Sequence, residues 1–301
     1  SFLGLFLHFI PMLIYDLSVW VYVLFFQPKV LKFFLTKNKR RPVMAQEKEL
    51  FLTVIQDTVY GTNQEKIAAF LKNKPDWLRF KELIIHHELL PFVYSSLKNF
   101  GAYLPEALLE LLKKNYYFTL VRSQNILREY LRILTVFEEA RIILLPIKGI
   151  ALLEDLYSEM PVRPMTDIDL LVKREKLKEA EQLLYGLGYQ KRTDGLKEEY
   201  WLKKQSHLEF SGGIDGRSLL DLHWSLDFKR RGCYALPELW DRIREIKAGD
   251  RKIKVLSPED TLFSLALHNR RFGKALSFKN IYDVVLLLRK YEADFDWDYC
   301  L

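Results

Sequence analysis

Hydrophobic positions along this chain change their spacing several times, and each change predicts a different kind of structure. From Phe2 to Tyr15 and from Leu17 to Phe26 the residues are almost continuously apolar, interrupted mainly by His8, Pro11 and Asp16. Between Met44 and Glu139 the spacing is helical. Leu50, Phe51, Val54 and Ile55 mark one face, and Trp77, Phe80, Leu83, Ile84 and Leu90 mark a further helix. Pro105 opens a long helical stretch to about Ala140, at the early position that proline favours. Beyond Arg141 the runs shorten. Ile142 to Ile147 reads as a buried strand, Gly149 breaks it, and Ile150 to Tyr157 reads as a short helix. A proline-rich loop from Ser158 to Met165 leads into a strand at Asp167–Val172. An amphipathic helix follows from Glu175 to Leu187, with Gly188 as its stop. Residues 199–211 read as a strand or hairpin ending at Ser211-Gly212-Gly213, and Ser218–Leu226 as another strand. After that the helical period returns. Ser257-Pro258-Glu259-Asp260 has the form of a helix start, with a cap, a first-turn proline and acids at the positive end. Ile281, Val284, Val285 and Leu288 give the last helix its apolar face.

The predicted fold class is therefore α+β: a small mixed β-sheet core flanked by an N-terminal helical domain and a C-terminal helical part. The expected boundaries are 1–43 for the apolar and basic leading segment, 44–140 for the helical domain, 141–230 for the core and 231–301 for the C-terminal part, which ends without a helix stop signal.

Charge changes the picture only at the front. The formal charge is +7, but six basic residues between Lys29 and Arg41, set against Asp16, place +5 of it in residues 1–43 and leave the body nearly balanced at +2. A groove for long nucleic acid is not expected from such a body. The 2–26 run is long enough to cross a bilayer, and the basic cluster behind it would keep the rest at the cytoplasmic face, so residues 2–41 are a candidate membrane contact on a cytoplasmic protein. Asp16 argues against an ordinary span. Met44-Ala45-Gln46-Glu47-Lys48 also looks like a natural start, so after the membrane anchor the next reading of 1–43 is upstream sequence translated in frame, and a buried helix is the remaining one. Cys233 and Cys300 lie far apart with no metal spacing, and read as reduced thiols.

The candidate chemistry lies in Thr166-Asp167-Ile168-Asp169-Leu170-Leu171-Val172. Residues two apart on a strand share a face, so Asp167 and Asp169 project together from a segment that is otherwise apolar. Two like charges held there require a cation between them, and replacing either by Asn is expected to hold or raise the stability of the metal-free protein. In this reading one strand delivers Lys148 and Gly149, the second Asp167 and Asp169, and the third Asp221. Three carboxylates on neighbouring strands suit two Mg²⁺ ions and in-line nucleotidyl transfer. Gly149 would let backbone approach a phosphate, and the helix behind it offers free N–H groups. His223 reads as a sheet histidine, and His268 and His86-His87 read as structural.

The run Leu145-Pro146-Ile147-Lys148-Gly149, followed by Leu156-Tyr157, Arg163 and Asp167-Ile168-Asp169-Leu170-Leu171-Val172, resembles the uncharacterised nucleotidyltransferase family of the DNA polymerase beta superfamily. Leu220-Asp221-Leu222-His223-Trp224 is similar to that family's third-carboxylate strand. Leu256-Ser257-Pro258-Glu259-Asp260 with His268, and His86-His87-Glu88-Leu89-Leu90-Pro91, are similar to its helical parts. The resemblance covers residues 47 to 300. It implies a Mg²⁺-dependent nucleotidyltransferase that moves a nucleoside monophosphate from a triphosphate such as ATP to an acceptor hydroxyl. Asp167, Asp169 and Asp221 would be catalytic and metal-binding, with two Mg²⁺ as cofactor, and Lys148, Gly149 and Arg163 would bind nucleotide. A small molecule or protein is the favoured acceptor. The superfamily's usual phosphate turn is Gly-Gly or Gly-Ser, whereas here Lys148 precedes Gly149 and Ile150 follows, so Lys148 must contribute to phosphate binding. The alternative is a catalytically silent nucleotide-binding or protein-interaction module on the same fold.

Overall fold

The computed structural model describes residues 45–157, 162–192, 205–226, 237–269 and 278–300. The apolar run 2–26, the basic cluster, Cys233 and residues 199–204 of the strand or hairpin read at 199–211 lie outside the described residues. Among those described, no helix is long and apolar enough to cross a membrane.

Among the described residues the first four helices are α1 (Ala45–Tyr60), α2 (Gln64–Lys72), α3 (Trp77–His86) and α4 (Leu90–Leu97), and the long α5 (Glu106–Glu139) follows. The Trp77-to-Leu90 pattern, expected as one helix, is two. Glu88 takes φ 57° and Pro91 stands in the first turn of α4, so the backbone turns between them. Asp76 caps α3 by accepting from the N–H groups of Leu78 and Arg79.

The strands are β1 (Leu145–Pro146), β2 (Asp167–Leu171), β3 (Gln190–Lys191), β4 (His207–Gly212), β5 (Ser218–His223), β6 (Arg244–Ala248) and β7 (Arg251–Val255). Helix α6 (Gly149–Leu156) follows β1, and α7 (Leu177–Gly186) follows β2. Helices α8 (Pro258–Asn269), α9 (Phe278–Tyr291) and α10 (Trp297–Cys300) close the chain. Two compact units result. One holds the described residues up to Leu120 with those of Phe272–Glu292, and the other Val121–Arg271 with Ala293–Cys300.

In the first unit α1 packs on α2, α3 and α4. Its predicted face is the core: Leu50 and Val54 are fully buried, and Phe51 and Ile55 nearly so. Tyr282 of α9 packs its ring on Phe92 and donates its hydroxyl to the Thr58 carbonyl. His87 packs against Phe51 and Phe278 and accepts from the Phe278 N–H, in keeping with a structural histidine.

The second unit is built on a five-stranded sheet in the order β1-β2-β5-β4-β3. β2 and β5 run parallel and the other pairs antiparallel, so the sheet is mixed. Register is fixed by one apolar face. Ile168 pairs with Leu220 and Leu170 with Leu222, while Phe210 and Leu208 of β4 pair with those same two leucines. All six are at most 2% exposed, and burying each stabilises by roughly 1.5–3 kcal/mol. A slip of one residue would turn all six to the other face. Gly212, at φ 152°, lies where any Cβ would strike the Gly188 carbonyl, so only glycine lets β4 pass the end of α7.

Two expectations need correction. The Ile142–Ile147 strand shrinks to Leu145–Pro146, because Arg141 at φ 58° and the Ile142 N–H bonded to the Phe137 carbonyl spend those residues on ending α5. The C-terminal part is not wholly helical, since β6 and β7 form a separate hairpin turned at Gly249. Ser257 caps α8 as read: its Oγ accepts from the Asp260 N–H at 3.1 Å.

Candidate active site

The face of the sheet opposite the six core residues carries an ordered grid of polar side chains. Asp169 of β2, Asp221 of β5 and Glu209 of β4 are register partners across three adjacent strands. The next row along β5 and β4 pairs His223 with His207. Asp167 stands two residues before Asp169 and so shares its face. One oxygen from each of Asp167, Asp169 and Asp221 lies within 4.8 Å of the others.

Lys148 reaches this grid through an unusual backbone. The Ile147 N–H donates to the Asp169 carbonyl, which holds the end of β1 beside β2. The chain then turns at Lys148 with φ 56° and ψ −115°, a conformation that side chains other than glycine's disfavour. Its carbonyl accepts the first α6 hydrogen bond, from Leu152. Its ammonium donates to Asp169 Oδ1 at 2.6 Å. Gly149 is the first residue of α6, and no side chain caps that N-terminus. A Cβ on Gly149 would press on Met165 Sδ at 3.2 Å and approach Arg163 Nη1 at 3.7 Å. The buried Arg163 thus has its guanidinium beside the Lys148–Gly149 turn.

The loop feeding β2 is tied to α5. Ser123 Oγ donates to the Arg163 carbonyl at 3.2 Å, and Arg122 donates to the carbonyls of Met165 at 2.8 Å and Thr166 at 3.0 Å. These bonds place the strand that carries Asp167 and Asp169.

The three aspartates differ electrostatically. Burial opposes ionisation of Asp169, but the Lys148 ammonium and the His223 ring, whose Nε2 lies 3.0 Å from Oδ1, outweigh it and hold this carboxyl below its usual range. Asp167 is pushed up by burial and by the charge of Asp169. Asp221 is pushed up to about 7 by burial, then by Asp169 and Asp167. One lysine faces three carboxylates, and two of the three resist ionising. Such a donor set fits divalent cations, because hard carboxylate oxygens without enough positive charge are the environment Mg²⁺ requires.

All six residues singled out from the sequence lie in this second unit. Asp167, Asp169, Asp221 and Lys148 meet at the sheet face, and Gly149 and Arg163 lie at the adjoining turn. Sequence reasoning missed His207 and Glu209 and left His223 as an ordinary sheet residue. The alternation His207-Leu208-Glu209, matched to Asp221-Leu222-His223, was the available signal.

The sequence model of the family described as uncharacterised nucleotidyltransferase matches residues 73–301, and the chain belongs to that family. No curated protein matches it. Among solved structures, the chain is similar to the antibiotic-resistance factor ANT(2'')-Ia in solution, at 17% identity and a TM-score of 0.42, covering 56% of this chain and 85% of that one. It is also similar to the lincosamide antibiotic adenylyltransferase LnuA bound to lincomycin, at 21% identity and a TM-score of 0.38, covering 53% of this chain and 94% of that one.

Proposed function

We propose that this member of the uncharacterised nucleotidyltransferase family moves a nucleoside monophosphate from a nucleoside triphosphate to an acceptor hydroxyl, using Mg²⁺ held by Asp167, Asp169 and Asp221. The observation that carries the reading is the convergence of three carboxylates from two parallel strands, with their oxygens within 4.8 Å, beside an uncapped helix N-terminus. When bound, two Mg²⁺ ions would supply Lewis-acid activation of the attacking oxygen and charge neutralisation for the triphosphate and its pyrophosphate product.

The chain's own groups supply the rest. The free N–H groups of α6 and the Lys148 ammonium bind phosphate oxygens, with Arg163 adding positive charge at the same turn. Gly149 keeps that turn open to a phosphate. Asp221 orients the acceptor hydroxyl or takes its proton. A small molecule or a protein side chain is the favoured acceptor, since the body of the chain carries little net charge.

A second reading, a catalytically silent nucleotide-binding or interaction module, is favoured by one observation. Asp169 is already satisfied by Lys148 and His223, as in a permanent structural pair. Mg²⁺-dependent binding of each of the four nucleoside triphosphates, followed by incubation of α-labelled triphosphate with cell extract, separates the two. The transferase binds a triphosphate and labels an acceptor, and both Asp167→Asn and Asp169→Asn abolish the labelling. A double Asn variant with full activity removes the metal site from the mechanism, and a chain that binds no triphosphate leaves the module.

A further inference from the structure

We propose that His207, His223 and Asp221 form a second, nitrogen-rich cation site that takes an imidazole-seeking divalent ion of the Zn²⁺ class and shares Asp221 with the carboxylate set. The three side chains each offer one donor atom, all within 4.8 Å of one another. His207 and His223 are register partners on β4 and β5, both buried, with ring centroids 4.8 Å apart. A stacked histidine pair by itself is ordinary core. What marks this one is the pair of carboxylates that His207 faces: its Nε2 lies 3.7 Å from Asp221 Oδ2 and 3.7 Å from Glu209 Oε1. Those separations are long for hydrogen bonds. They are close to the roughly 3.4 Å between neighbouring ligands of a tetrahedral ion bound at about 2.1 Å.

Ligand chemistry separates this site from the one beside it. Asp167, Asp169 and Asp221 offer only oxygen, which suits Mg²⁺. Two imidazoles and one carboxylate suit Zn²⁺ and neighbouring transition ions, which Mg²⁺ does not match on nitrogen. Asp221 is the hinge between the sets, and His223 also touches both, since its Nε2 lies 3.0 Å from Asp169 Oδ1. An ion held with His207 and His223 draws Asp221 away from Asp167 and Asp169, so the two sites compete. The inference shares Asp221 with the proposed catalytic reading but needs neither a triphosphate nor transfer, so each stands or falls separately.

The test is calorimetric titration of the metal-free full chain with Zn²⁺. One Zn²⁺ per chain is expected, with affinity reduced more than about tenfold in His207→Gln and in His223→Gln. Affinity in Asp167→Asn should be unchanged, because Asp167 belongs only to the oxygen set. His207→Gln should leave Mg²⁺ affinity within about twofold, since Mg²⁺ has little use for imidazole. Circular dichroism and the thermal midpoint verify that each variant is folded. If neither histidine variant folds, Co²⁺ added to the unaltered chain decides: strong visible bands of a four-coordinate site with nitrogen ligands support the proposal, and the weak bands of six oxygen ligands overturn it. The proposal also fails if the unaltered chain binds no Zn²⁺, if both histidine variants bind it unchanged, or if Asp167→Asn loses it as fully as His207→Gln.

Discussion

Replacing Asp221 by Asn should stabilise the metal-free protein at alkaline pH and leave it little changed in acid, the reverse of what removing a well-paired carboxylate does. The carboxyl is raised from 3.8 to about 7. A folded state that binds this proton more tightly than the unfolded state is favoured at low pH, and that advantage is lost as pH climbs from about 4 through 7. At 1.36 kcal/mol per pH unit the full penalty above pH 7 would be about 4 kcal/mol. The side chain is 25% exposed, so water relaxes part of that, and about 1–3 kcal/mol is the expected gain. Asp167 is displaced in the same direction and steepens the wild-type trend, whereas Asp169 acts only in acid, where its pairing with Lys148 is lost. Urea unfolding in EDTA at pH 5 and pH 8 reads the effect as a difference of differences. Wild type should weaken between the two, and Asp221→Asn should weaken less and exceed wild type at pH 8. Mg²⁺ should restore stability to wild type at pH 8 and much less to the variant. Equal destabilisation by Asp221→Asn at both pH values would refute the argument, because it would mean that Asp221 is a satisfied structural carboxylate.

Asp169→Asn should behave oppositely within the same triad. It leaves the Lys148 ammonium without its carboxylate in a largely buried site, at a cost of about 3–5 kcal/mol by urea unfolding, and so reverses the sequence-based expectation that losing either acid is harmless. Lys148→Gly should be more stable than Lys148→Ala by about 1–3 kcal/mol, since both lose the ammonium but only glycine relieves the turn; equal stability would show no strain there. Both should weaken triphosphate binding, measured by calorimetry, more than they slow a single turnover. Arg122→Ala removes two hydrogen bonds from the loop before β2 and should cost about 1–3 kcal/mol in the same unfolding assay.

The parts of this architecture that could be read from sequence are those where one strand states its own alternation. Asp167-Ile168-Asp169 and Leu220-Asp221-Leu222 each announce an apolar and a polar face, and from that three of the acids follow. The β6–β7 hairpin hid because Arg244-Glu245-Ile246-Lys247-Ala248 and Arg251-Lys252-Ile253-Lys254-Val255 are mostly charged and bury only a few residues at every second position. Lys148's contact with Asp169 hid because it depends on one positive φ, which no periodicity encodes. His207 and Glu209 hid because their place depends on how β4 pairs with β5.

That pairing also explains why the polar grid and the core cannot drift apart. Ile168, Leu170, Leu208, Phe210, Leu220 and Leu222 hold the register of β2, β5 and β4 by burying one face. With a period of two, the intervening residues must then stand together on the other face, and they are Asp169, Glu209 and Asp221, with Asp167, His207 and His223 flanking them. The repulsion among those acids opposes folding, and Lys148 offsets it only in part, bonding directly to Asp169 and acting on Asp167 and Asp221 through its charge. The apolar face therefore stabilises the sheet against the charges it displays. A conservative core change such as Leu222→Ala should cost about 2–5 kcal/mol. It should also loosen Asp221 and His223 on either side, so that Mg²⁺ affinity falls although no ligand has been touched. A Leu222→Ala protein with full Mg²⁺ affinity would show that the carboxylates are held by something other than the register of these strands.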